Sequence, residues 1–286
     1  MRAASSLLTA IALALTGCGS KAQQAGGVPR RGLVPKIVSL SPSTTEIVAN
    51  QLNAQMLVGR GQSDDYPKNI LSVPVMASVK PDFEKIKGSG ATDLVYDADL
   101  YSPDDVKRIE AMGIHPFAFK AHTVAGFEKE LYELSGLMGS ETNMSAYVDR
   151  IERERGAAEG DPPSPRPKVA VVLGGGDYVA GTDSFVADAV RIAGGDAVGP
   201  KSEKFEAASP EAMVAAAPDM IILATSKDNG AKDLAALRSD PRFTNSPAVK
   251  NGRVTALNQD VVVRRGSRVD TLISQLHRAL TLKQGT

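Results

Sequence analysis

Short apolar runs alternate with amphipathic stretches along most of the chain. In the first half, the runs that predict strands are KIVSL, MLVGR, DLVYDAD and HPFAFK. The segment SPDDVKRIEAMGI predicts a helix, because Ser102 is a favourable N-cap, Pro103 fits the first helical position and Gly113 fits the stop. TVAGFEKELYELSGLMG carries apolar residues at helical spacing. A further helix is predicted after the first strand, with Ser43 or Thr44 as its N-cap.

The pattern changes after Ser140, where SETNMSAYVDRIERERGAAEGD predicts one long charged helix that the segment PPSPRP ends. The second half then repeats the alternation, with strands at KVAVVL, DMIILAT and RVTALN and helices at SFVADAVRIAGG, SPEAMVAAA and RVDTLISQLHRALTL. Strands that alternate with helices are typical of parallel sheets covered on both faces. We therefore predict an α/β fold of two α/β lobes with parallel sheets, over 36–140 and 166–286, joined by one long bridging helix over 141–160.

The first 35 residues predict export and lipid attachment. Arg2 is the only charge before an apolar run that is too short to span a bilayer, and small residues follow as far as Cys18. The LTGC sequence that ends there resembles a bacterial lipobox, whose cysteine is lipidated and becomes the new N-terminus; a plain signal peptide with an incidental cysteine is the alternative. We predict a lipoprotein signal peptide over 1–17 and a flexible tether over 18–35. The mature protein is then lipid-anchored to the outer face of the cytoplasmic membrane or lies in the periplasm.

Composition narrows the possible partners. The 33 Lys and Arg side chains balance 33 Asp and Glu side chains and form no basic stripe, so we do not expect nucleic acid as a partner. Cys18 is the only cysteine, which excludes a disulfide framework. After the signal peptide no apolar run is long enough to cross a membrane, so the lipid would be the only membrane attachment.

The stretch KVAVVLGGGDYVAGTDSF places a glycine-rich loop directly after a strand. A Walker loop needs Lys and then Ser or Thr after its last glycine, whereas Thr182 and Asp183 follow Gly181. The dinucleotide-binding pattern fails as well, because Val179 stands where the third glycine belongs. Since open α/β sheets bind ligands at the carboxyl ends of their strands, we interpret this segment as a ligand loop without phosphate chemistry.

Catalytic and metal-binding motifs are absent from the sequence. There is no G-x-S-x-G and no H-E-x-x-H, and lipidation of Cys18 would leave no reactive thiol, so we predict that the protein is not an enzyme. His115, His122 and His277 are widely spaced, whereas a zinc site needs three or four converging ligands, so no metal site is predicted. His122 follows a strand and could reach a cleft; a surface or capping role is the alternative.

Seven segments, in order over nearly the whole chain, carry a resemblance to a known family. They are IVSLSPSTTEIV (37–48), LVGR with DDYP (57–67), DFEKI (82–86), AGTDSFVADAVRIAGG (180–195), SPEAMVAAAPDMII (209–222), DPRFTNSPAVKNGRV (240–254) and RRGSR (264–268). The chain resembles the periplasmic binding proteins of ABC importers for metal chelates, the group for vitamin B12, ferric siderophores and haem. The resemblance implies two α/β lobes bridged by one long helix, a chelate bound between them, modest closure, and delivery to an ABC permease and its ATPase.

The resemblance also implies a docking surface, in which one exposed acidic side chain on each lobe meets arginines of the permease. The matching positions are Glu84 in DFEKI and Glu211 in SPEAM. The alternative is that each carboxylate merely occupies the first turn of a helix, where the helix dipole stabilises it by about 0.3–1 kcal/mol.

The candidate ligand-binding residues are carried over in the same way. They are Ser41, Ser43, Tyr66, Tyr178, Asp260, Arg264 and Arg268. Tyr178 falls where corrinoid-binding relatives place a ring that can stack on a macrocycle. Arg264, with Asp260 four residues before it, would contact carboxylates, amides or phosphate through planar hydrogen bonds. An exposed tyrosine and solvated arginines are the alternatives, and Tyr66 could be structural.

Several positions depart from the family pattern and leave the ligand open. Arg265 and Ser267 stand where relatives usually have proline, and the chain has no tryptophan. Where corrinoid binders place further rings, this chain has Ser63, Ser78 and Ala98. The prediction is therefore a monomer that binds a corrinoid or a ferric siderophore and needs no other cofactor. The alternatives are a haem- or metal-ion-binding protein of the same fold, or a tethered ligand sensor.

Overall fold

A computed structural model describes residues 34–226 and 228–282, with the backbone alone at 141 and 142. The predicted signal peptide, Cys18 and nearly all of the predicted tether lie outside the described residues. The strands in this part are β1 (Ile37–Ser39), β2 (Leu57–Gly61), β3 (Val75–Ala77), β4 (Asp93–Asp97), β5 (His115–Phe119), β6 (Lys168–Leu173), β7 (Tyr178–Ala180), β8 (Asp196–Ala197), β9 (Phe205–Ala207), β10 (Met220–Thr225) and β11 (Val254–Asn258).

Helices cover both faces of the sheets that these strands form. They are α1 (Pro42–Ile47), α2 (Phe83–Gly88), α3 (Pro103–Glu110), α4 (Val124–Met138), α5 (Glu141–Gly160), α6 (Phe185–Ile192), α7 (Pro210–Ala216), α8 (Gly230–Ser239), α9 (Pro247–Lys250), α10 (Gln259–Val263) and α11 (Val269–Thr281). A wider helical turn, Val48–Asn53, continues α1, and tighter 3₁₀ turns occupy Ala54–Met56, Lys68–Ser72 and Gly174–Gly176. None of the helices in the described part of the chain combines the length and apolarity needed to cross a bilayer.

The strands form one sheet in each lobe, and the predicted fold class is confirmed. The first sheet has the order β3-β2-β1-β4-β5 and is parallel throughout. The second has the order β11-β10-β6-β7-β9, with β8 beside β6. Strands β7 and β9 run antiparallel to their neighbours, so this sheet is mixed rather than parallel. Each has only three residues, too few for the apolar pattern to reveal either its presence or its direction.

Neighbouring residues of each central strand enter different hydrophobic cores, because successive side chains of a strand point to opposite faces. In β1, Ile37 packs in the core beneath α4 and α5, whereas Val38 packs in the core on the opposite face of the sheet. In β10, Ile222 and Ile221 divide in the same way between the two cores of the second lobe. Helices on both faces explain why these strands are apolar at nearly every position.

Two helices connect the lobes. Helix α5 follows the first sheet in sequence and precedes the second, and its Tyr147 and Ile151 are fully buried in the larger core of the first lobe. Helix α11 packs between the two lobes, since Ile273 lies in that same core and Leu272 and Leu276 lie in a core of the second lobe. The lobes therefore share an apolar interface beneath the cleft as well as a connection along the chain.

Candidate ligand-binding cleft

A cavity of about 380 Å³ lies between the two lobes. The first lobe contributes residues that follow the carboxyl ends of β1, β4 and β5, and the second lobe contributes residues at the start of α6, before β9 and after β11. The lining residues are Pro42, Ser43, Asp97, Asp99, Leu100, His122, Ser184, Phe185, Val186, Glu203, Lys204, Phe205, Val262, Val263, Arg264 and Arg265. This volume falls in the usual range for small-molecule sites, and open α/β sheets bind ligands at this edge.

The two walls of this cavity differ in polarity. The second lobe contributes an apolar surface of Phe185, Val186, Phe205, Val262 and Val263, and beside it the charged residues Glu203, Lys204, Arg264 and Arg265. The first lobe contributes mainly polar groups, namely Ser43, Asp97, Asp99 and His122. Such a cavity suits a ligand with one apolar face and one polar edge, because each side then meets groups of its own kind.

Arg265 crosses from the second lobe into the first. Its guanidinium donates to Asp97 Oδ1 at 2.8 Å and to Asp99 Oδ2 at 3.4 Å, and also to the carbonyl oxygens of Phe119 and Ala121. Its Nε is buried and has no hydrogen-bond partner within the described residues. Arg265 therefore places a cation on the polar wall of the cavity.

Arg264, a predicted ligand-binding residue, lines the cavity but already contacts three carboxylates. Its Nη1 lies 3.2 Å from Glu46 Oε1 and 2.9 Å from Asp65 Oδ1, and its Nη2 lies 3.0 Å from Asp260 Oδ1. Burial alone would lower the pKa of Arg264, but the hydrogen bond to Asp65 and the charges of Asp260 and Asp65 outweigh burial and raise this pKa. The guanidinium therefore stays charged at every physiological pH.

Arg268, the second arginine of the predicted pair, binds the same buried carboxylate. Its Nε lies 3.1 Å from Glu46 Oε2 and its Nη2 lies 2.5 Å from Glu46 Oε1. The ring of Tyr66 covers this guanidinium, with its centroid 4.6 Å away. The structure thus brings Tyr66, Asp260, Arg264 and Arg268 together, and their partner Glu46 was absent from the prediction.

The loop that carries Asp65 and Tyr66 is held by buried polar contacts. Arg60 donates to the carbonyl oxygens of Gly61 and Asp64. The carboxylate of Asp64 accepts from the Thr45 hydroxyl at 2.5 Å and from the Gly61 amide at 2.8 Å. Burial raises the pKa of Asp64 although these hydrogen bonds and the charge of Arg60 act against it. This loop presents Asp65 to Arg264 in a fixed position.

The two predicted serines differ in role. Ser41 is the N-cap of α1, and its hydroxyl accepts from the Thr44 amide at 3.4 Å, so the predicted caps Ser43 and Thr44 are wrong. Pro42 occupies the first helical position and thereby moves the cap one residue ahead of it. Ser43 lines the cavity.

Tyr178 begins β7 at the carboxyl end of β6 and does not line the cavity between the lobes. Its side chain is 49% exposed, so the ring is free to contact a ligand that extends beyond the cavity. The glycine loop before it serves packing, since a Cβ on Gly176 would lie 2.8 Å from the Phe243 ring and Gly176 has a φ of 108°. Only glycine fits at this position, so packing explains the glycine of this loop and no bound phosphate is needed to explain it.

Two polar side-chain contacts join the lobes at the rim of the cavity. Lys204 Nζ lies 3.7 Å from Asp99 Oδ1, and His122 Nε2 lies 3.4 Å from Glu203 Oε2. His122 therefore lines the cavity but faces a carboxylate rather than a set of metal ligands. In the described part of the chain, no three or more His, Cys, Asp or Glu side chains are grouped so that they could hold a metal ion.

The predicted docking residues are exposed, one on each lobe. Glu84 lies in the first turn of α2, which Asp82 caps, and Glu211 lies in the first turn of α7, which Ser209 caps. The Ser209 hydroxyl also donates to Glu211 Oε2 at 3.2 Å.

A larger hollow of about 750 Å³ lies at the opposite edge of the second sheet, near the amino ends of β6, β10 and β11. Its walls are the proline-rich segment after α5, the turns before those strands and the end of α11. No residue of the first lobe lines it. The cavity between the lobes is the candidate site, because side chains from both lobes line it, whereas only the second lobe and the segment before it line the larger hollow.

Four charged residues that line the cavity were not among the predicted site residues, namely Asp97, Asp99, Glu203 and Lys204. Asp97 and Asp99 lie at the end of the predicted strand DLVYDAD. Because ligands bind at the carboxyl ends of strands in open α/β sheets, this position could have identified both acids as site residues. Glu203 and Lys204 lie in an irregular segment with no motif to mark them.

Comparisons with known proteins agree with this architecture. A family described as "Periplasmic binding protein" matches residues 37–261. A "Cobalamin-binding protein" from Halobacterium salinarum is 25% identical over 245 residues, which is 82% of this chain and 66% of the relative, so the chain spans slightly less than two thirds of that protein. A Bacillus subtilis protein named "Uncharacterized ABC transporter substrate-binding lipoprotein YvrC" is 25% identical over 272 residues, 86% of this chain and 79% of that protein.

Solved structures show the same fold at low sequence identity. A periplasmic haem-binding protein from Pseudomonas aeruginosa superimposes with a TM-score of 0.72 at 23% identity, covering 87% of this chain and 93% of that structure. The matched family is one of binding proteins, in agreement with the prediction that the chain is not an enzyme. From the match over residues 37–261 and the two-lobed fold, we conclude that the chain belongs to the periplasmic binding protein family.

Proposed function

We propose that this protein is the substrate-binding lipoprotein of an ABC importer, and that it captures a metal chelate, a corrinoid or a ferric siderophore, between its lobes. The observation that carries this proposal is the cavity of about 380 Å³ that both lobes line at the carboxyl ends of their strands. Corrinoids and siderophore complexes combine an apolar body with polar substituents. They therefore match a cavity whose lining combines an apolar surface with polar and charged groups.

Capture would involve little movement of the lobes. Helices α5 and α11 connect the lobes, and Phe185 of the second lobe packs edge-on against Phe127 of the first with ring centroids 5.7 Å apart. Opening the cleft widely would expose this apolar interface to water, at a cost of about 25 cal/mol per Å². We expect the ligand to enter by a small opening at the rim, where the lobes meet through the partly exposed contacts of Lys204 with Asp99 and of His122 with Glu203.

Delivery would use the membrane anchor and both lobes. Lipidation of Cys18 would hold the protein beside its permease, and the tether would give the lobes freedom to dock. Glu84 and Glu211 are exposed on different lobes, so together they can fix the orientation of the protein on a partner that presents arginines. The chelate would then pass into the permease, and the ATPase would supply the energy for transport.

A haem ligand is the second candidate, because His122 lines the cavity and an imidazole can bind a haem iron. The Pseudomonas aeruginosa neighbour is titled as a haem-binding protein. A corrinoid or siderophore complex is the primary candidate, since the first-lobe wall carries carboxylates that suit hydrogen-bond donors better than haem propionates.

Isothermal titration calorimetry tests the proposal directly. The body of the protein from about Gly27 onward would be titrated with cyanocobalamin, a ferric hydroxamate, a ferric catecholate and haemin. We expect a dissociation constant at or below about 1 μM for one of the first three ligands, or about −8.2 kcal/mol. No binding of any of the four would contradict the proposed function, and tight binding of haemin alone would select the second candidate.

A further inference from the structure

Every cation on the cavity wall already faces at least one carboxylate. Lys204 lies 3.7 Å from Asp99, and Arg265 lies 2.8 Å from Asp97 and 3.4 Å from Asp99. Arg264 contacts three carboxylates at 2.9–3.2 Å. No lysine or arginine on this wall is therefore free to neutralise an anionic group of a ligand.

The carboxylates in this network outnumber the cations. The acidic members are Glu46, Asp65, Asp97, Asp99, Glu203 and Asp260, and the basic members are Lys204, Arg264, Arg265 and Arg268. His122 is the remaining titratable member of the rim, beside Glu203. With a neutral imidazole, this network carries an excess of two negative charges. The residues that line the cavity are three carboxylates and three cations, so the excess comes from Glu46, Asp65 and Asp260 behind the wall.

The excess of carboxylates affects hydrogen-bond donors of a ligand differently from anionic groups of a ligand. A carboxylate has about four lone-pair sites, so Asp97 and Asp99 can accept from a ligand while they keep their bonds to Arg265. An added carboxylate or phosphate finds no unpaired cation and lies close to several negative charges in a partly buried site, where charge repulsion is strong. A neutral amide or a cationic group experiences no such penalty.

We propose that the cleft selects a neutral or cationic chelate rich in N–H or O–H donors and rejects polyanionic chelates, and that Asp99 and Glu203 are specificity-determining residues. This inference rests on the proposed function and narrows its ligand class. The two acids qualify because they lie at the rim and are 35% and 61% exposed, and because Arg265 keeps its shorter contact to Asp97 when the charge of Asp99 is removed. Asp97 is more deeply buried against Arg265.

A matched pair of ligands isolates the effect of charge. Dicyanocobinamide and dicyanocobyrinic acid share one corrin ring, but the side chains that end in amides in the first end in carboxylates in the second. Ferrioxamine B, a cationic ferric hydroxamate, and a ferric tris-catecholate, which is a trianion, form an independent pair of ferric siderophore complexes with opposite charge. Affinities would be measured by calorimetry on the full-length chain purified in detergent, at mildly alkaline pH where an ordinary imidazole is neutral.

A matched pair of variants separates the effect of charge at the cavity rim from the effect of the net charge of the protein. Asp99→Asn with Glu203→Gln removes two negative charges at the rim. The control, Asp104→Asn with Asp196→Asn, removes two from acids that are 96% and 59% exposed and pair with Lys107 and Arg166 away from the cavity. Both double variants change the net charge of the protein equally.

We expect the wild-type protein to bind the amide corrinoid, or ferrioxamine B, at least about tenfold more tightly than the anionic member of the same pair, a difference of about 1.4 kcal/mol. The rim variant should reduce this preference by about tenfold, and the control should leave it within about threefold. Equal or tighter binding of the anionic member, or a rim variant that behaves like the control, overturns the inference while the proposed function stands. Absence of binding to all four ligands contradicts the proposed function and the inference with it.

Discussion

Glu46 of the first lobe and Arg268 of the second form a buried, bidentate ion pair. Both carboxylate oxygens accept from one guanidinium, at 3.1 Å and 2.5 Å, and the Glu46 side chain is 1% exposed. Arg264 adds a third contact to the same carboxylate at 3.2 Å. The arginines of the R-x-x-x-R motif therefore hold the two lobes together, and only Arg264 also lines the cavity.

Glu46→Gln should destabilise the protein strongly. The substitution removes a buried charge that two half-buried guanidinium groups face, and breaking a buried ion pair from one side costs about 3–5 kcal/mol. Urea unfolding followed by circular dichroism measures this loss. Glu133→Gln is the control, because Glu133 forms an exposed pair with Lys129 that is worth less than about 1 kcal/mol. Equal effects of the two substitutions would contradict a structural role for Glu46.

Tyr147→Phe should destabilise the protein by about 1–3 kcal/mol. The Tyr147 hydroxyl, fully buried on α5, donates to the Gly266 carbonyl at 2.7 Å and accepts from the Val269 amide at 3.0 Å. Its loss leaves both buried backbone groups without this partner at the start of α11. The same unfolding measurement on Tyr132→Phe provides the control, since Tyr132 is 48% exposed and should give almost no change. A neutral Tyr147→Phe would show that these hydrogen bonds contribute nothing net.

Asp240 should contribute to the free energy of unfolding at neutral pH, and this contribution should be lost in acid. The hydrogen bond from Arg242 holds the pKa of Asp240 below its ordinary value of 3.8, against a smaller opposing effect of burial. A lowered folded-state pKa gives stability that is complete above the unfolded pKa and is lost as the pH falls through the folded pKa. The destabilisation caused by Asp240→Asn should therefore be largest at neutral pH and shrink below about pH 4. Thermal unfolding of wild type and variant across this range measures the difference, and a constant difference would contradict it.

The longer strands and most helix boundaries could be predicted from the sequence because each depends on local pattern. Apolar runs covered on both faces give β6 and β10, and Ser102 and Ser209 cap their helices where the sequence indicates. The N-cap of α1 was predictable as well, since Pro42 at the first helical position requires the cap at Ser41.

The polar network of the cleft could not be predicted in this way. Glu46 and Arg268 are 222 residues apart in sequence, and Glu46 looks like an ordinary polar residue of an amphipathic helix until the second lobe buries it. Arg265 differs from Arg264 and Arg268 only in where the fold directs its side chain, which no spacing rule determines. Such pairings depend on how the two lobes are positioned relative to each other. The apolar pattern of the sequence reports only the core within each lobe.

Tyr178→Ala should weaken chelate binding by about tenfold, or about 1.4 kcal/mol. The ring stands at the carboxyl edge of the second sheet, where it can stack on the part of a large ligand that extends beyond the cavity. Tyr132→Ala is the matched control, because its ring is equally exposed, at 48% against 49%, but lies on α4. Titration calorimetry with the ligand identified as above gives both affinities. If both variants bind like the wild type, Tyr178 is only a surface residue.

Arginine substitutions at Glu84 and Glu211 should abolish uptake without affecting capture. Both carboxylates are exposed in short helices and do not line the cavity, so Glu84→Arg with Glu211→Arg should leave folding and chelate affinity unchanged. On a permease surface that presents arginines, each reversal turns an attraction into a repulsion between like charges. We expect cellular uptake of the chelate to fall by at least about tenfold, the ratio that corresponds to about 1.4 kcal/mol of lost docking energy.

The control for docking reverses one exposed acid on each lobe at other places, Asp104→Arg and Asp196→Arg, and so changes the net charge by the same amount. Uptake should remain near the wild-type rate with this control. If the Glu84 and Glu211 variant still transports normally while it binds the chelate, these carboxylates act only in the first turns of their helices. A tethered sensor would then fit better than an importer component, because a sensor needs the cleft but not the two-point contact. Loss of uptake with full binding would instead tie both lobes to the permease.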